Sequence, residues 1–455
     1  MKRTFLSCCI LLCTLCSVCA QEQPLISPDD SIRSLLGRIF PNTNPNLSAH
    51  MNLEFYTSGA AYFTDGNLDE AAFKLNRVRL EILGSFTKDF SYHFRQSFNK
   101  YSNPHSLDNL SSSIEYAYMN WKMSDRFNLT VGKQFLSLGG YEYYVNAIKV
   151  REFSEFNDNV PAYQAGVTGT FNFSPTQELV LQVLNNRNGE DNDTYVYGLP
   201  AGVNKTKIPI ITTLNWNGLF VDKALQLRYA AAWGQLAEGK NIYYLTAGNV
   251  YEKGPVIAYI DVMYSREGLD SKGIISDLQG PAVVTPATAE NAEYFSTIAN
   301  FDYRIHPNWN VYVKGAYETA SVYKANGIFE KGLYRTTWNA QACVEYFPMR
   351  NRELLIFAHM LYKGHHLTDR AKALGAVSPD TQRFSIGLVY TIPVFLPPCL
   401  CYKRLVIIAV TSASLLTSDS GSECIGSSYR DRSRAVRVAD IHSFTLHDRK
   451  KKSEQ

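Results

Sequence analysis

The stretch FKLNRVRLEILGSFTKDFSYHFRQSF, Phe73 to Phe98, decides the fold. Between Phe73 and Phe86 the even positions Val78, Leu80, Ile82, Gly84 and Phe86 are mostly apolar, whereas the odd ones include Arg77, Arg79, Glu81 and Ser85. Successive side chains of a strand point to opposite faces, so this is a strand with one apolar and one charged face. After the short turn Thr87-Lys88-Asp89 the alternation resumes, with Tyr92, Phe94 and Phe98 opposed to Ser91, His93, Arg95, Ser97 and Asn99. The pair predicts a β-hairpin with a tight turn.

Outward from this hairpin the same unit recurs. Leu47, Ala49, Met51, Leu53 and Phe55 face away from His50, Asn52 and Glu54, and Phe127, Leu129 and Val131 face away from Asn128, Thr130 and Gln134. Tyr163, Ala165, Val167, Phe171 and Phe173 oppose Gln164, Thr168, Thr170 and Asn172; Trp338, Ala340, Ala342, Val344 and Tyr346 oppose Asn339, Gln341 and Glu345. Residues 114–123 resist the reading. Their tyrosines share one face while Glu115, Met119 and Trp121 share the other, and periodicity does not orient the strand.

Connection lengths add a second signal. Short turns are expected near 87–89, 124–126, 174–177, 218–223, 252–254, 305–308 and 348–352, and mostly longer polar loops lie between them, as at 136–161, 187–207, 266–292 and 363–381. Tight turns at one end and long loops at the other are the layout of a transmembrane antiparallel β-barrel, with short periplasmic turns and long extracellular loops. The spacing predicts about 16 strands over residues 47–395, an even number that puts both ends of the barrel on the periplasmic side.

Composition agrees. Tyr, Phe and Trp make up 13% of the chain, yet the mean hydropathy is −0.19. No run approaches the ~18 continuous apolar residues of a membrane-spanning helix. A barrel hides its apolar side chains at every second position and therefore averages as polar. A soluble β-sandwich or propeller shows the same alternation, but not the loop asymmetry. A net charge of +3 gives no reason to expect nucleic acid as a partner.

The N-terminus points to export. Lys2 and Arg3 precede an apolar run from Leu6 to Val18, and Val18-Cys19-Ala20 supplies small residues before Gln21. This is the layout of a secretory signal peptide over residues 1–20, with cleavage after Ala20 favoured over acylation at Cys19. Residues 21–46 then form an N-terminal periplasmic segment. Five cysteines (Cys8, Cys9, Cys13, Cys16, Cys19) fall in the signal and three (Cys399, Cys401, Cys424) near the C-terminus, so Cys343 alone sits in the long middle. One cysteine makes no disulfide framework, and the Cys399/Cys401 pair has no second pair at metal-ligand spacing.

Three stretches bring a family into view: LNRVRLEILGSFTKDFSYHFRQSF (Leu75–Phe98), FNLTVGKQFLSLGGYEY (Phe127–Tyr143) and VPAYQAGVTGTFNF (Val160–Phe173). Together they resemble the phosphate-selective porin O and P family as it occurs in Bacteroidetes-like bacteria, over roughly residues 47–395. The most specific piece is Val131-Gly132-Lys133 followed by a Gly-rich approach to a long loop. The resemblance implies a homotrimeric barrel of 16 strands in the bacterial outer membrane, with a pore narrowed by inward-folded loops and lined by basic residues. The implied function is passive diffusion of small hydrophilic solutes, chiefly anions such as phosphate or polyphosphate. The expected partners are outer-membrane lipid and small anions, and no cofactor is expected.

Candidate pore-lining groups on polar faces are Arg77, Arg79, Arg95, Arg228, Lys314 and Arg383. A planar guanidinium gives a phosphate two charge-assisted hydrogen bonds, and a ladder of such groups passes the ion between weak sites. Glu81, Asp261, Asp302 and Glu345 share the polar face. The loop over 136–161 is the candidate constriction. Its Lys149 and Arg151 are outnumbered by Glu142, Glu152, Glu155 and Asp158, which weighs against strong phosphate selectivity. Each arginine has a plain alternative role, a lumenal charge paired with a neighbouring carboxylate.

Catalytic motifs are absent: there is no G-x-S-x-G, P-loop or H-E-x-x-H pattern, and His365-His366 read as a solvated loop pair. Two other functions stand beside anion transport, a weakly selective general diffusion porin and a barrel serving as adhesin or surface anchor. Residues 396–455 depart from the pattern. They hold three cysteines, many serines and the basic run from Arg449 to Lys452 without period-2 alternation, and are expected to be a disordered tail arising from a frame change or fusion near Leu396, with a genuine added domain as the alternative.

Overall fold

The computed structural model describes residues 48–395 apart from 101–106, 109, 187–194, 196, 282 and 350–352. The expected signal peptide, the 21–46 segment and the 396–455 tail lie outside the described residues.

Alternation of apolar and polar residues produces sixteen antiparallel strands that close into one barrel. They are β1 Ser48–Thr64, β2 Asn67–Ser85, β3 Phe90–Ser97, β4 Ile114–Lys122, β5 Phe127–Phe135, β6 Tyr163–Ser174, β7 Gln177–Asn185 and β8 Ile210–Phe220. The circuit continues with β9 Leu225–Ala237, β10 Lys240–Lys253, β11 Val256–Leu269, β12 Glu290–His306, β13 Trp309–Val322, β14 Gly332–Tyr346, β15 Leu354–Leu367 and β16 Thr381–Phe395. Each strand pairs with its sequence neighbours, and β1 closes on β16 in a register running from Met51 opposite Phe395 to Thr64 opposite Thr381.

Burial is inverted relative to a soluble protein. Phe73 is 94% exposed, Ile386 69% and Trp338 57%, whereas Arg79 is fully buried at 0%. Large apolar side chains left on the outside of a closed sheet are matched to lipid, and the charged faces turn inward.

All seven expected short turns join the strands at one end. The turn placed at 218–223 lies slightly later, because β8 runs to Phe220 and Val221, Asp222 and Lys223 make the reversal with φ of 51°, 52° and 71°. The eight connections at the other end, L1 to L8 in chain order, are unequal. L1 is the two-residue turn Asp65-Gly66, with φ of 49° and 84°, and L5 is Glu238-Gly239. The loops expected at 266–292 and 363–381 are shorter, since β11 and β12 pair as far as Leu269 and Glu290, and β15 continues, paired with β14, as far as Leu367. Polar side chains do not end a ladder of backbone hydrogen bonds. His365 and His366 are therefore not a loop pair: they lie in β15, on opposite faces, and His365 Nδ1 contacts Thr337 Oγ1 at 3.0 Å.

The strand that periodicity did not orient contains a β-bulge. Arg95 pairs with Tyr116 and Gln96 with Ile114, so Glu115 is the extra residue. An extra residue shifts the parity. Glu115, Tyr116 and Tyr118 thereby all reach the lumen while Met119 and Trp121 remain exposed outside.

A packed core fills one side of the barrel. Leu138, Phe156, Leu236, Tyr244, Leu269 and Leu278 belong to a single cluster in which L3, L6 and the inner face of the β8–β14 wall meet.

Candidate pore constriction

L3, residues 136–162, turns into the barrel because two glycines let it. Gly139 and Gly140 have φ of +66° and +69°, a region that disfavours side chains, and a Cβ on Gly139 would lie 2.5 Å from Thr246 Oγ1. Leu138 O accepts a hydrogen bond from Thr246 Oγ1, and Gly140 N donates to Arg228 O at 3.2 Å. Gly248 on β10 leaves room for this approach, since a Cβ there would stand 2.6 Å from Gly140 Cα.

Beyond the glycines the loop is fastened to the wall by charge. Asp261 on β11 accepts the backbone N–H groups of Tyr141 and Glu142 at 2.7 and 2.8 Å. Glu142 accepts from Lys314 Nζ at 2.6 Å, Ser154 Oγ at 2.7 Å and Asn157 Nδ2 at 2.7 Å. Burial alone would raise the pKa of this carboxyl, but the Lys314 ammonium and the Ser154 and Asn157 donors hold it below the ordinary value. Ser154 caps the helical turn Glu155–Asp158, and Glu318 accepts the first two N–H groups of that turn at 2.9 and 3.0 Å. Glu155 pairs with Arg335 at 2.6 Å, and Glu152 pairs with Lys363 and, at 3.0 Å, with Arg383.

The candidate basic residues thus fall into different settings. Lys314 and Arg383 hold L3; Lys314 also donates to Glu152 O, and Arg383 to Arg151 O at 3.0 Å. Arg151 is 3.4 Å from Glu345 and lies over the rings of Phe357 and Tyr56 at 4.4 and 5.2 Å. Arg79 pairs with Glu54 at 2.6 Å and Glu115 at 3.4 Å and donates to Asn146 Oδ1 at 2.7 Å. Arg95 pairs with Glu115 at 2.8 Å, donates to Tyr163 Oη at 2.7 Å and covers the Tyr116 ring at 4.1 Å. Arg228 stacks 3.2 Å from the centroid of Tyr144. Lys149 is exposed, with no partner among the described residues. The Arg77 side chain makes no hydrogen bond or ion pair among the described residues, and its Nη1 is buried without a partner.

Most of the bonds that hold L3 run to β9–β16, and open space lies between the loop and the opposite wall. It is a cavity of about 360 Å³ lined by residues of β2–β6, L2 and L3, including Arg77, Arg95, Lys100, Glu115, Asp158 and Tyr163. Several of its residues were not singled out by sequence: Lys100, Asn146, Asn157 and the tyrosines at 116, 118, 143, 144 and 163. Only Tyr116 and Tyr118 carried a signal, the tyrosines sharing one face of β4, whereas Tyr163, which alternation put on the apolar outer face, lines the cavity at the start of β6 and accepts from Arg95. Among the described residues no group of His, Cys, Asp and Glu is placed to hold a metal ion.

The fold has relatives of known structure. The outer membrane channel DcaP of Acinetobacter baumannii superposes with a TM-score of 0.54 at 12% identity, covering 77% of this chain and 99% of that one. OmpT of Vibrio cholerae gives 0.49 at 9% identity, covering 77% and 98%. OmpF of Salmonella typhi, in complex with daunomycin, gives 0.48 at 11% identity, covering 76% and 98%. No curated protein matches the sequence significantly. The profile of the phosphate-selective porin O and P family matches residues 52–392, which is nearly the whole of the closed barrel and its inward third loop. The chain belongs to that family, as a bacterial outer-membrane β-barrel channel for small solutes.

Proposed function

We propose that the channel prefers anions, and that they pass between L3 and the β2–β6 wall. The observation behind this is Arg77, a lumenal guanidinium without a carboxylate partner in the lining of the remaining cavity. The acidic residues of L3 weigh less against the reading than their number suggests. Glu142, Glu152 and Glu155 are each paired with cations of the far wall, so their charge is locally cancelled. Along the path Arg77, Arg95 and Lys100 stand against Glu115 and Asp158. A small basic excess inside a low-dielectric wall focuses positive potential over the path.

The test is the reversal potential of single channels across a potassium chloride gradient. Wild type should favour chloride, and Arg77→Gln should shift the reversal potential toward cations. The preference should fade toward 1 M salt, where the screening length is only ~3 Å. A wild-type channel without anion preference would support a weakly selective diffusion porin instead, and a barrel without conductance would support an anchor. The homotrimer implied by family resemblance belongs to the same proposal and is checked by the detergent-corrected mass.

A further inference from the structure

Two carboxylates line the cavity between L3 and the β2–β6 wall, Glu115 and Asp158, and they meet the path differently. Glu115 is 2% exposed and is held by three cations, Arg95 at 2.8 Å, Lys100 at 2.9 Å and Arg79 at 3.4 Å. Its charge is cancelled where it stands. Asp158, at the end of the helical turn of L3, is exposed. Its carboxylate makes no hydrogen bond or ion pair among the described residues. The other acids of the loop are taken up elsewhere, Glu142 by Lys314, Glu152 by Lys363 and Arg383, and Glu155 by Arg335.

The elements that carry the charges place them on two sides of the path. Asp158 stands on the loop, whereas Arg77 and Arg95 belong to β2 and β3, and Lys100, exposed over 40% of its side chain, follows β3 closely. A cation passing this point meets one free carboxylate opposite a basic wall. An anion meets the same wall with that carboxylate opposing its entry.

We infer that Asp158 is the residue that limits the anion preference of this channel, and that neutralising it leaves Arg77, Arg95 and Lys100 facing Glu115 alone. The inference rests on the anion-preferring reading above and names the group that sets its degree. The same carboxylate makes that degree adjustable by pH. Surrounding protein withholds water from it and the Glu152 carboxylate disfavours its charged form, which together raise its pKa above the ordinary 3.8. Lys363 of β15 opposes the rise, Glu142 adds to it and Arg77 of β2 opposes it again. The charge is lost as the pH falls through the raised value, so acidification strengthens the preference for anions. His93 also lines the cavity, bonded to Glu81 at 2.9 Å and Tyr118 at 3.1 Å, and a variant at position 158 separates its titration from that of Asp158.

Reversal potentials of single channels across a potassium chloride gradient test the inference, at salt near 0.1 M where the screening length is ~10 Å. Asp158→Asn should raise the chloride-to-potassium permeability ratio about fivefold, the factor that one elementary charge ~4 Å from an ion gives in water. Asp158→Glu should keep the wild-type ratio and Asp158→Lys should raise it beyond that of Asp158→Asn, an order set by charge and not by loop packing. Acidification from about pH 7.5 to about pH 4.5 should raise the ratio in wild type and leave Asp158→Asn nearly where it is. An unchanged ratio in Asp158→Asn, an order that does not follow charge, or a pH response as large in Asp158→Asn as in wild type would overturn the inference. The two readings fail separately. A chloride-preferring wild type with an unaltered Asp158→Asn refutes the role of Asp158 alone, and a wild type without preference whose Asp158→Asn form favours chloride refutes the anion reading while Asp158 keeps its role.

Discussion

Arg77 and Arg79 are neighbours on the polar face of β2, yet their surroundings differ completely. Arg79 is buried between Glu54 and Glu115 and donates to Asn146 of L3, whereas Arg77 has no carboxylate partner among the described residues. Removing one member of a buried ion pair strands the other charge, at a cost of roughly 3–5 kcal/mol. Arg79→Ala should therefore lower the temperature at which the folded, fast-migrating form converts to the unfolded form in detergent gels. Arg77→Gln should leave that temperature nearly unchanged while moving selectivity. Equal effects on stability would show that Arg77 has a structural role after all. Period-2 alternation makes both residues lumenal, but the partners of Arg79 come from β1, β4 and L3, 25 to 67 residues away in the chain. Local pattern tells which face a side chain occupies and not what meets it there.

L3 shows how an element can be legible in place and opaque in conformation. Its position followed from its length and its Gly-rich approach, and its acids were counted as a negative lining. In the fold Glu142, Glu152 and Glu155 turn to the opposite wall and hold the loop there, an outcome set by Lys314, Arg335, Lys363 and Arg383 on distant strands, and only Asp158 lines the cavity. The β4 bulge at Glu115 is a similar case, since one extra residue reverses the parity on which the reading depended. The Glu142–Lys314 pair yields a pH prediction. Glu142 has a folded-state pKa depressed below its ordinary 4.5, so its contribution to anchoring L3 is complete above 4.5 and is lost as the pH falls through the lower folded-state value. Conductance should be steady down to the ordinary glutamate range and grow noisy only below it. Glu142→Gln, which keeps acceptor capacity for Ser154 and Asn157 but leaves Lys314 buried without its counter-ion, should show that noise at neutral pH. A quiet Glu142→Gln channel would mean that Asp261 and Glu318 suffice to hold the loop.

At the scale of the whole molecule, the barrel was legible because one physical constraint acts on every strand. Lipid outside and polar lumen inside force the same alternation from β1 to β16, and a closed sheet leaves no strand edge unpaired. That closure bears on residues 396–455. The β1–β16 ladder runs to the pair Met51 and Phe395, and β16 meets β15 from Thr381 to Tyr390, so no ladder in the described barrel draws on a residue beyond Phe395. Phe384, Ile386 and Leu388 already give β16 its exposed apolar face. A chain truncated after Phe395 should accordingly fold into the same heat-modifiable barrel and conduct as the full chain does, with the same reversal potential. Full-length protein that assembles while the truncated form does not would establish that the last 60 residues are needed for insertion or assembly, although the sheet itself closes without them.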